Sequence, residues 1–421
     1  MKRRIENIVL TLALLLIILA VFIRMRAYRF ADEMFDSAAA DVQFEAEKMY
    51  NAHFQENGSS PERPKDSDGN EIPAFSKAAG VLNDVFPAKK RLIYLSGYAA
   101  RTLGLREIYK DNGGVLLNNG YIAGVYPFTA TDFELSQIVS FQQFLKDNNV
   151  QLLYVNEPAK YTNDQFIEED LGLNTFINNN TDRFLQGLAD NGINYIDLRD
   201  QIKENNSFSY FYRTDHHWTV PAGKMAAQTI AGELNRHYGY SIDLSIYDDD
   251  KYKYIYYDDA WLGEQGKKLG LSYVGLDDFI EVYPNYPTRF SLINGQKKEI
   301  GSFEDVLINK TVYLPENNKN PYDAKSWHYS YRGNSGKIIN EDDKSQKKIL
   351  VLGDSYDVVT NCFLALGVSE VQGVVMRSYK GSIRDYIKEN EYDTVVIAYA
   401  SFMIGAHDNT NSANYKMFDF S

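Results

Sequence analysis

Hydrophobic positions divide the chain into segments of different period. From Ile8 to Ile23 every residue but Thr11 is apolar, and Lys2, Arg3 and Arg4 before the run and Arg24 and Arg26 after it close it with charge. Its helical length is about 24 Å against a bilayer core of roughly 30 Å, a gap that snorkelling arginines and local thinning can cover. The run reads as an uncleaved membrane anchor. A cleaved secretory leader is the competing reading, although Val21–Arg26 offers no small-residue cleavage site. Residues 27–54 keep a loose helical spacing through Ala31, Met34, Phe35, Ala38, Val42 and Met49, which suits a stalk or an ordinary packed helix. Residues 56–73, ENGSSPERPKDSDGNEIP, have almost nothing to bury and read as a linker.

Beyond residue 88 short apolar runs alternate with amphipathic segments. A Thr131-x-x-Glu134 capping box opens a helix carrying Leu135, Ile138, Phe141 and Leu145, and a strand follows over Gln151–Asn156. Thr181–Asn191 reads as a helix stopped by Gly192, with a strand over Ile193–Leu198. Pro221 falls in the first turn of a helix whose apolar face is Ala222, Met225, Ala226, Ile230 and Leu234. Lys348–Leu352, Val371–Met376 and Thr394–Ala398 are β-rich runs separated by helical stretches. This alternation predicts an α/β domain of three layers with a mostly parallel sheet. Between about residues 239 and 346 it breaks down into Tyr, Asp, Asn and Gly, including Asp248–Asp250 and Tyr252–Tyr257, which reads as a large, partly β insertion. The expected organisation is therefore an anchor over 1–26, stalk and linker over 27–87, and the α/β domain over 88–421.

Composition narrows the choice of function. Over 421 residues, 44 Lys and Arg against 57 Asp and Glu leave a net charge of −13, which excludes a nucleic-acid binder relying on a global basic field. The single cysteine, Cys362, excludes an intramolecular disulfide and a multi-thiolate zinc site. The 32 tyrosines pack apolarly while keeping a hydroxyl for water, sugars or backbone. A long acidic domain after a lone N-terminal anchor is expected outside the cytoplasm, with the N-terminus inside.

Two motifs carry candidate chemistry. In the first, a strand ends in Gly353-Asp354-Ser355 and a helix can begin near Tyr356, so a serine hydroxyl projects from the C-terminal sheet edge beside free helix N–H groups. A turn with a helix-capping serine is the plain alternative. In the second, Arg213-Thr-Asp-His-His-Trp-Thr219, Asp215 and His217 are two residues apart, so the carboxylate can reach one imidazole nitrogen while the other faces a distant serine. A packed histidine beside Trp218 and an Asp/His metal site are the alternatives, the latter lacking an obvious distant ligand. Asp248–Asp250 reads as a solvated loop rather than a calcium site.

Asp-His-His-Trp followed by Gly-Asp-Ser about 140 residues later resembles the DHHW-type proteins of the SGNH hydrolase-like superfamily, related to the alginate O-acetyltransferases. The resemblance runs from about Ile108 to Ala400. Supporting segments are Gly113–Leu117, Asn156–Lys160, Trp261–Gly263 to Asp277, and Arg377-x-Tyr379-x-Gly-Ser382. It implies Ser355 as nucleophile, His217 as base and Asp215 as orienting acid, in the Asp-His-before-Ser order of the alginate-type enzymes. The oxyanion hole is less legible. Gly333-Asn334 is one candidate, and the N–H of Tyr356 or Ser355 together with Arg377 is the preferred one, a structural salt bridge being the alternative for Arg377. Trp218 and Tyr379 are further expected substrate-side residues.

The resemblance implies a tethered extracytoplasmic O-acyltransferase, expected to be an O-acetyltransferase. It would act on a polysaccharide acceptor, take its acyl group from a membrane-embedded acyltransferase, and need no metal or cofactor. A carbohydrate esterase with the same triad and a non-catalytic glycan-binding protein are the rival readings.

Overall fold

The runs Gln151–Glu157, Lys348–Gly353 and Thr394–Ala400 are apolar on both faces and too short for helices, the pattern of strands covered on both sides. The computed structural model describes residues 89–106, 114–117, 119–160, 176–203, 207–405 and 414–421. The expected anchor, stalk and linker over 1–87, together with Gly113, lie outside the described residues. Residues 92–421 form one compact unit.

The described strands are β1 Gly114–Leu116, β2 Ile122–Gly124, β3 Gln151–Glu157, β4 Tyr195–Asp197, β5 Tyr252–Trp261, β6 Asp277–Pro284, β7 Phe290–Asn294, β8 Lys297–Gly301, β9 Lys337–Asn340, β10 Lys348–Gly353, β11 Glu370–Val375 and β12 Thr394–Ala400. The longer helices are α1 Lys89–Thr102, α2 Asp132–Asp147, α3 Ile177–Asp190, α4 Val220–His237, α5 Asp357–Leu364 and α6 Ile383–Asn390. The central sheet has the order β4-β3-β12-β10-β11-β9-β7-β8. Side-chain alternation along its strands separates two apolar layers. Leu153, Val155, Val351 and Val396 pack with α4 and α5 on one face, and Leu152, Tyr154, Leu350 and Val395 pack with α2, α3 and α6 on the other.

Two expectations need correction. The sheet is mixed: β4, β3, β12, β10 and β11 run parallel, whereas β9, β7 and β8 add to one edge antiparallel. All three added strands come from the expected insertion, which thus extends the main sheet as well as contributing the separate β5–β6 pair. The tight turn at Gly295, φ +58°, forces β7 and β8 antiparallel. The Thr131 capping box does not form. Thr131 makes no side-chain cap, and Glu134 instead accepts the N–H of Gly405 at 2.6 Å. Gly192 ends the α3 turn at φ +65°, as its position predicts.

Candidate active site

The Arg213–His217 segment is a short loop pinched at its base by the bridge between Phe211 and Trp218. Its shape is imposed from outside. Asp277, the first residue of β6, accepts the N–H groups of Arg213 at 2.6 Å and Thr214 at 2.7 Å, and the Thr214 hydroxyl at 2.5 Å. Gly263 donates to the same hydroxyl at 2.8 Å, and Gly266 to the Thr214 carbonyl at 2.9 Å. A Cβ on Gly263 would sit 2.4 Å from that carbonyl oxygen and 2.6 Å from the Asp215 Cβ, so only glycine allows this approach. Lys160, buried after β3, donates to the carbonyls of Ile122 at 2.8 Å and Arg213 at 3.3 Å. Burial draws its ammonium down to about 7 against the opposing charges of Asp277 and Asp215.

Held this way, Asp215 receives four hydrogen bonds: from the His217 N–H at 3.0 Å, His217 Nδ1 at 2.5 Å, the Glu264 N–H at 2.8 Å and the Ser326 hydroxyl at 3.1 Å. Burial alone would raise its carboxyl. The charges of His217 and His216 and the hydrogen bonds outweigh burial and hold it well below the usual carboxylate range. The Nδ1 contact leaves His217 Nε2 facing outward, 2.7 Å from Ser355 Oγ. Asp215 and His217 are thereby brought into one hydrogen-bonded line with Ser355, 138 residues further along the chain.

Ser355 lies on the turn between β10 and α5. A Cβ on Gly353 would meet Asp357 Oδ2 at 2.1 Å, which explains the glycine at the strand end. Asp354 fixes the turn, its carboxylate accepting the N–H of Tyr356 at 2.8 Å and of Ala400 at 2.9 Å. The first of these bonds corrects an expectation: the Tyr356 N–H is given to Asp354 and does not face an incoming oxyanion. The Tyr356 hydroxyl donates to the His216 carbonyl, and its own carbonyl accepts Trp218 Nε1 at 3.1 Å. Tyr356 and Trp218 therefore tie the two loops together.

The remaining sequence candidates divide. Gly333 packs on α5, its N–H on the Val358 carbonyl at 3.0 Å, and Asn334 donates to the Asp354 carbonyl at 2.8 Å. Both brace the turn from behind. Arg377 lies two residues beyond Val375, the register partner of Gly353, so it leaves the sheet edge level with Ser355. It is exposed, with its guanidinium 3.3 Å from Met403 Sδ and from Asn414 Oδ1. Tyr379 packs against Tyr386 of α6.

Two site residues escaped the sequence reading, both from the 3₁₀ turn Trp327–Ser330 in the expected insertion. His328 is 1% exposed and sets its ring edge-on against the His217 imidazole, centroids 3.8 Å apart. Burial, then the neighbouring His217, holds its imidazole well below the usual histidine range, so it stays neutral. Tyr329 is 44% exposed and lies against the His217 ring, centroids 5.6 Å apart, on the side that carries Ser355. Burial raises that phenol, which keeps it a donor at neutral pH. A third histidine and a tyrosine side by side are the only signal the sequence carried.

A layered α/β sheet with serine, histidine and aspartate in line beyond its C-terminal edge is an SGNH-like fold. Residues 128–244, which include Asp215–Trp218 but not Ser355, match the family described as SGNH hydrolase-like domain, acetyltransferase AlgX. Among solved structures the chain is similar to Bacillus cereus PatB1, determined with a sulfonyl adduct, at 16% identity and TM-score 0.58, covering 75% of this chain and 100% of that one. It is also similar to a DHHW family protein from Eubacterium siraeum, at 15% identity and TM-score 0.54, covering 73% and 95%. No curated protein matches. The chain is thus similar to DHHW-type SGNH hydrolase-like proteins, and the likeness to both structures is one of fold.

Proposed function

We propose that this protein is an O-acetyltransferase that moves an acetyl group onto a polysaccharide through an acyl-serine at Ser355. The observation that carries the reading is the line Ser355 Oγ–His217 Nε2–Asp215, at 2.7 and 2.5 Å. His217 takes the serine proton as Oγ attacks the donor carbonyl, and Asp215 stabilises the imidazolium formed. The tetrahedral oxyanion needs donors near Ser355. With the Tyr356 N–H engaged, the Tyr329 hydroxyl is assigned that role, with Arg377 completing the positive edge. Collapse expels the donor's leaving group, which collects the proton from His217. A sugar hydroxyl then gives its proton to His217 as its oxygen attacks the acetyl carbonyl, and the Ser355 Oγ–acyl bond breaks as His217 returns that proton to Oγ.

The acceptor side is assigned to the aromatic rings beside the serine. His216 is partly exposed with its ring 6.0 Å from Phe402, which stacks on Tyr126 at 6.2 Å, a surface suited to the apolar faces of sugar rings. The apolar run at Ile8–Ile23 supports a single-pass anchor that holds this domain outside the membrane, where an acyltransferase embedded in the bilayer would supply the acetyl group.

Incubating the full-length protein with an activated acetyl ester and oligosaccharide acceptors tests the reading. Mass spectrometry is expected to find acetylated sugar that disappears in Ser355→Ala. Release of acetate alone, with every acceptor unmodified, would make the protein an esterase and overturn the transfer assignment.

A further inference from the structure

Three carboxyl groups are packed together beneath the nucleophile turn. Glu157 ends β3, Asp354 follows β10 and Asp357 opens α5. They are 0%, 2% and 0% exposed, and an oxygen of each lies within 4.8 Å of the others. Among the described residues no lysine, arginine or histidine hydrogen-bonds to any of them. Asp354 is satisfied by its two backbone donors, and Asp357 Oδ2 accepts the Asp354 N–H at 2.9 Å. Asp357 Oδ1 and both Glu157 oxygens have no hydrogen-bond donor. One oxygen of Glu157 and one of Asp357 lie within 4.8 Å of each other, with no cationic side chain between them among the described residues.

Two negative charges so placed, in a dry interior, would repel strongly. Something must neutralise them. A calcium ion takes about six to eight oxygen ligands, whereas only three oxygens here are uncommitted. One proton satisfies the same atoms.

We propose that Glu157 is a neutral carboxylic acid whose O–H donates to Asp357, and that it acts as a positioning residue for the nucleophile. The bonds then run unbroken from Glu157 to Asp357, from Asp357 to the Asp354 N–H, and so into the turn that carries Ser355. Burial, followed by the charges of Asp357 and Asp354, pushes the Glu157 carboxyl well above its usual range. Burial and Asp354 do the same for Asp357. The other groups facing the trio are the phenols of Tyr154, Tyr356 and Tyr399, all raised by burial, and the basic side chains of His217 and Arg377, which lie toward Asp354.

The consequence is a pH dependence of defined sign. Above about pH 4.3 the unfolded chain has lost this proton while the folded one keeps it, so stability falls as pH rises until the folded group ionises. Glu157→Gln replaces the O–H donor with an amide N–H that does not titrate. In denaturant titrations of the full chain between pH 5 and 9, the folding equilibrium constant of E157Q relative to wild type is expected to grow about tenfold per pH unit while Glu157 stays protonated. Asp357→Asn removes the same shared proton from the other side and is expected to show the same growing ratio, which covers a failure of E157Q to fold. A ratio independent of pH in both variants, or one equivalent of metal in wild type that E157Q lacks, overturns the proposal.

A second arm rests on the acyl-transfer reading. At neutral pH, acylation of Ser355 is expected within threefold of wild type in E157Q and at least tenfold slower in Glu157→Leu, which fills the space without a donor. At alkaline pH wild type is expected to lose rate that E157Q keeps. Equal losses in the Gln and Leu variants would overturn the positioning role. A growing stability ratio without acylation in any form would leave the proton pair standing and remove the proposed function.

Discussion

Replacing Asp215 by Asn keeps the volume of the side chain while removing its charge and one of its two acceptor atoms. The wild-type carboxylate receives four hydrogen bonds, two from His217 and two from Glu264 and Ser326. An amide can serve only one of these pairs. If its nitrogen turns toward His217, the imidazole must take the tautomer with a proton on Nε2, which cannot accept from Ser355. If it turns toward Glu264, two N–H groups oppose each other in a buried site, at a cost of about 1–3 kcal/mol. In either case the imidazolium formed during attack loses its counter-charge. At a separation of about 4 Å and an effective dielectric near 20 that interaction is worth about 4 kcal/mol, or roughly a thousandfold in rate.

The acylation step is therefore expected to slow by about 10³ to 10⁴-fold, read as the pre-steady-state burst from a chromogenic acetyl ester. Ser326→Ala removes one neutral donor of the four and is expected to cost about 1 kcal/mol, near fivefold. A D215N burst within tenfold of wild type, or equal losses in D215N and S326A, would refute the reasoning. The same carboxylate gives a pH signature. Its folded-state pKa is depressed, so its contribution to stability is present above the unfolded value of about 3.9 and lost as pH falls through the folded one. The melting difference between wild type and D215N is expected to shrink on acidification below about pH 4.

Gly263→Ala drives a methyl group into the Thr214 carbonyl and is expected to cost about 1–3 kcal/mol in denaturant titrations while displacing Asp215 and slowing acylation. Tyr329→Phe removes the hydroxyl assigned to the oxyanion, and kcat is expected to fall on the order of 10²-fold with the fold intact by circular dichroism. Phe402→Ala strips the ring between His216 and Tyr126, and a several-fold rise in acceptor KM at nearly constant kcat is the expected outcome of steady-state kinetics. Cys362 is fully buried and its thiol is pushed up to about 12 by burial, so iodoacetamide is expected to modify it only after denaturation, as mass spectrometry of the intact protein will show.

The parallel half of the sheet was readable because strands buried on both faces must be apolar throughout. Lys348–Leu352 and Thr394–Ala398 carry that requirement in their own residues. The antiparallel half was not, since β7, β8 and β9 come from a polar, tyrosine-rich stretch whose destination depends on which sheet edge is open. Asp215, His217 and Ser355 were legible because a serine nucleophile needs two partners of fixed type, and their spacing shows. Tyr329 and His328 follow no such rule; they reach the site only through the path of the Trp327–Ser330 turn. The Tyr356 N–H was misassigned for a similar reason. Whether a helix-terminal donor is free depends on the rotamer of Asp354, which the sequence does not display. The Thr131 cap failed through a contact 271 residues away, at Gly405.

The central claim is that Ser355 carries the acyl group, and trapping it is the direct measurement. Wild-type protein quenched in acid after brief exposure to an activated acetyl ester, then digested and sequenced by mass spectrometry, is expected to carry one acetyl group on Ser355. The adduct is expected to be absent from Ser355→Ala and strongly reduced in His217→Ala. Acetyl-group turnover undiminished in Ser355→Ala, with no adduct on Ser355 in the wild type, would contradict the account.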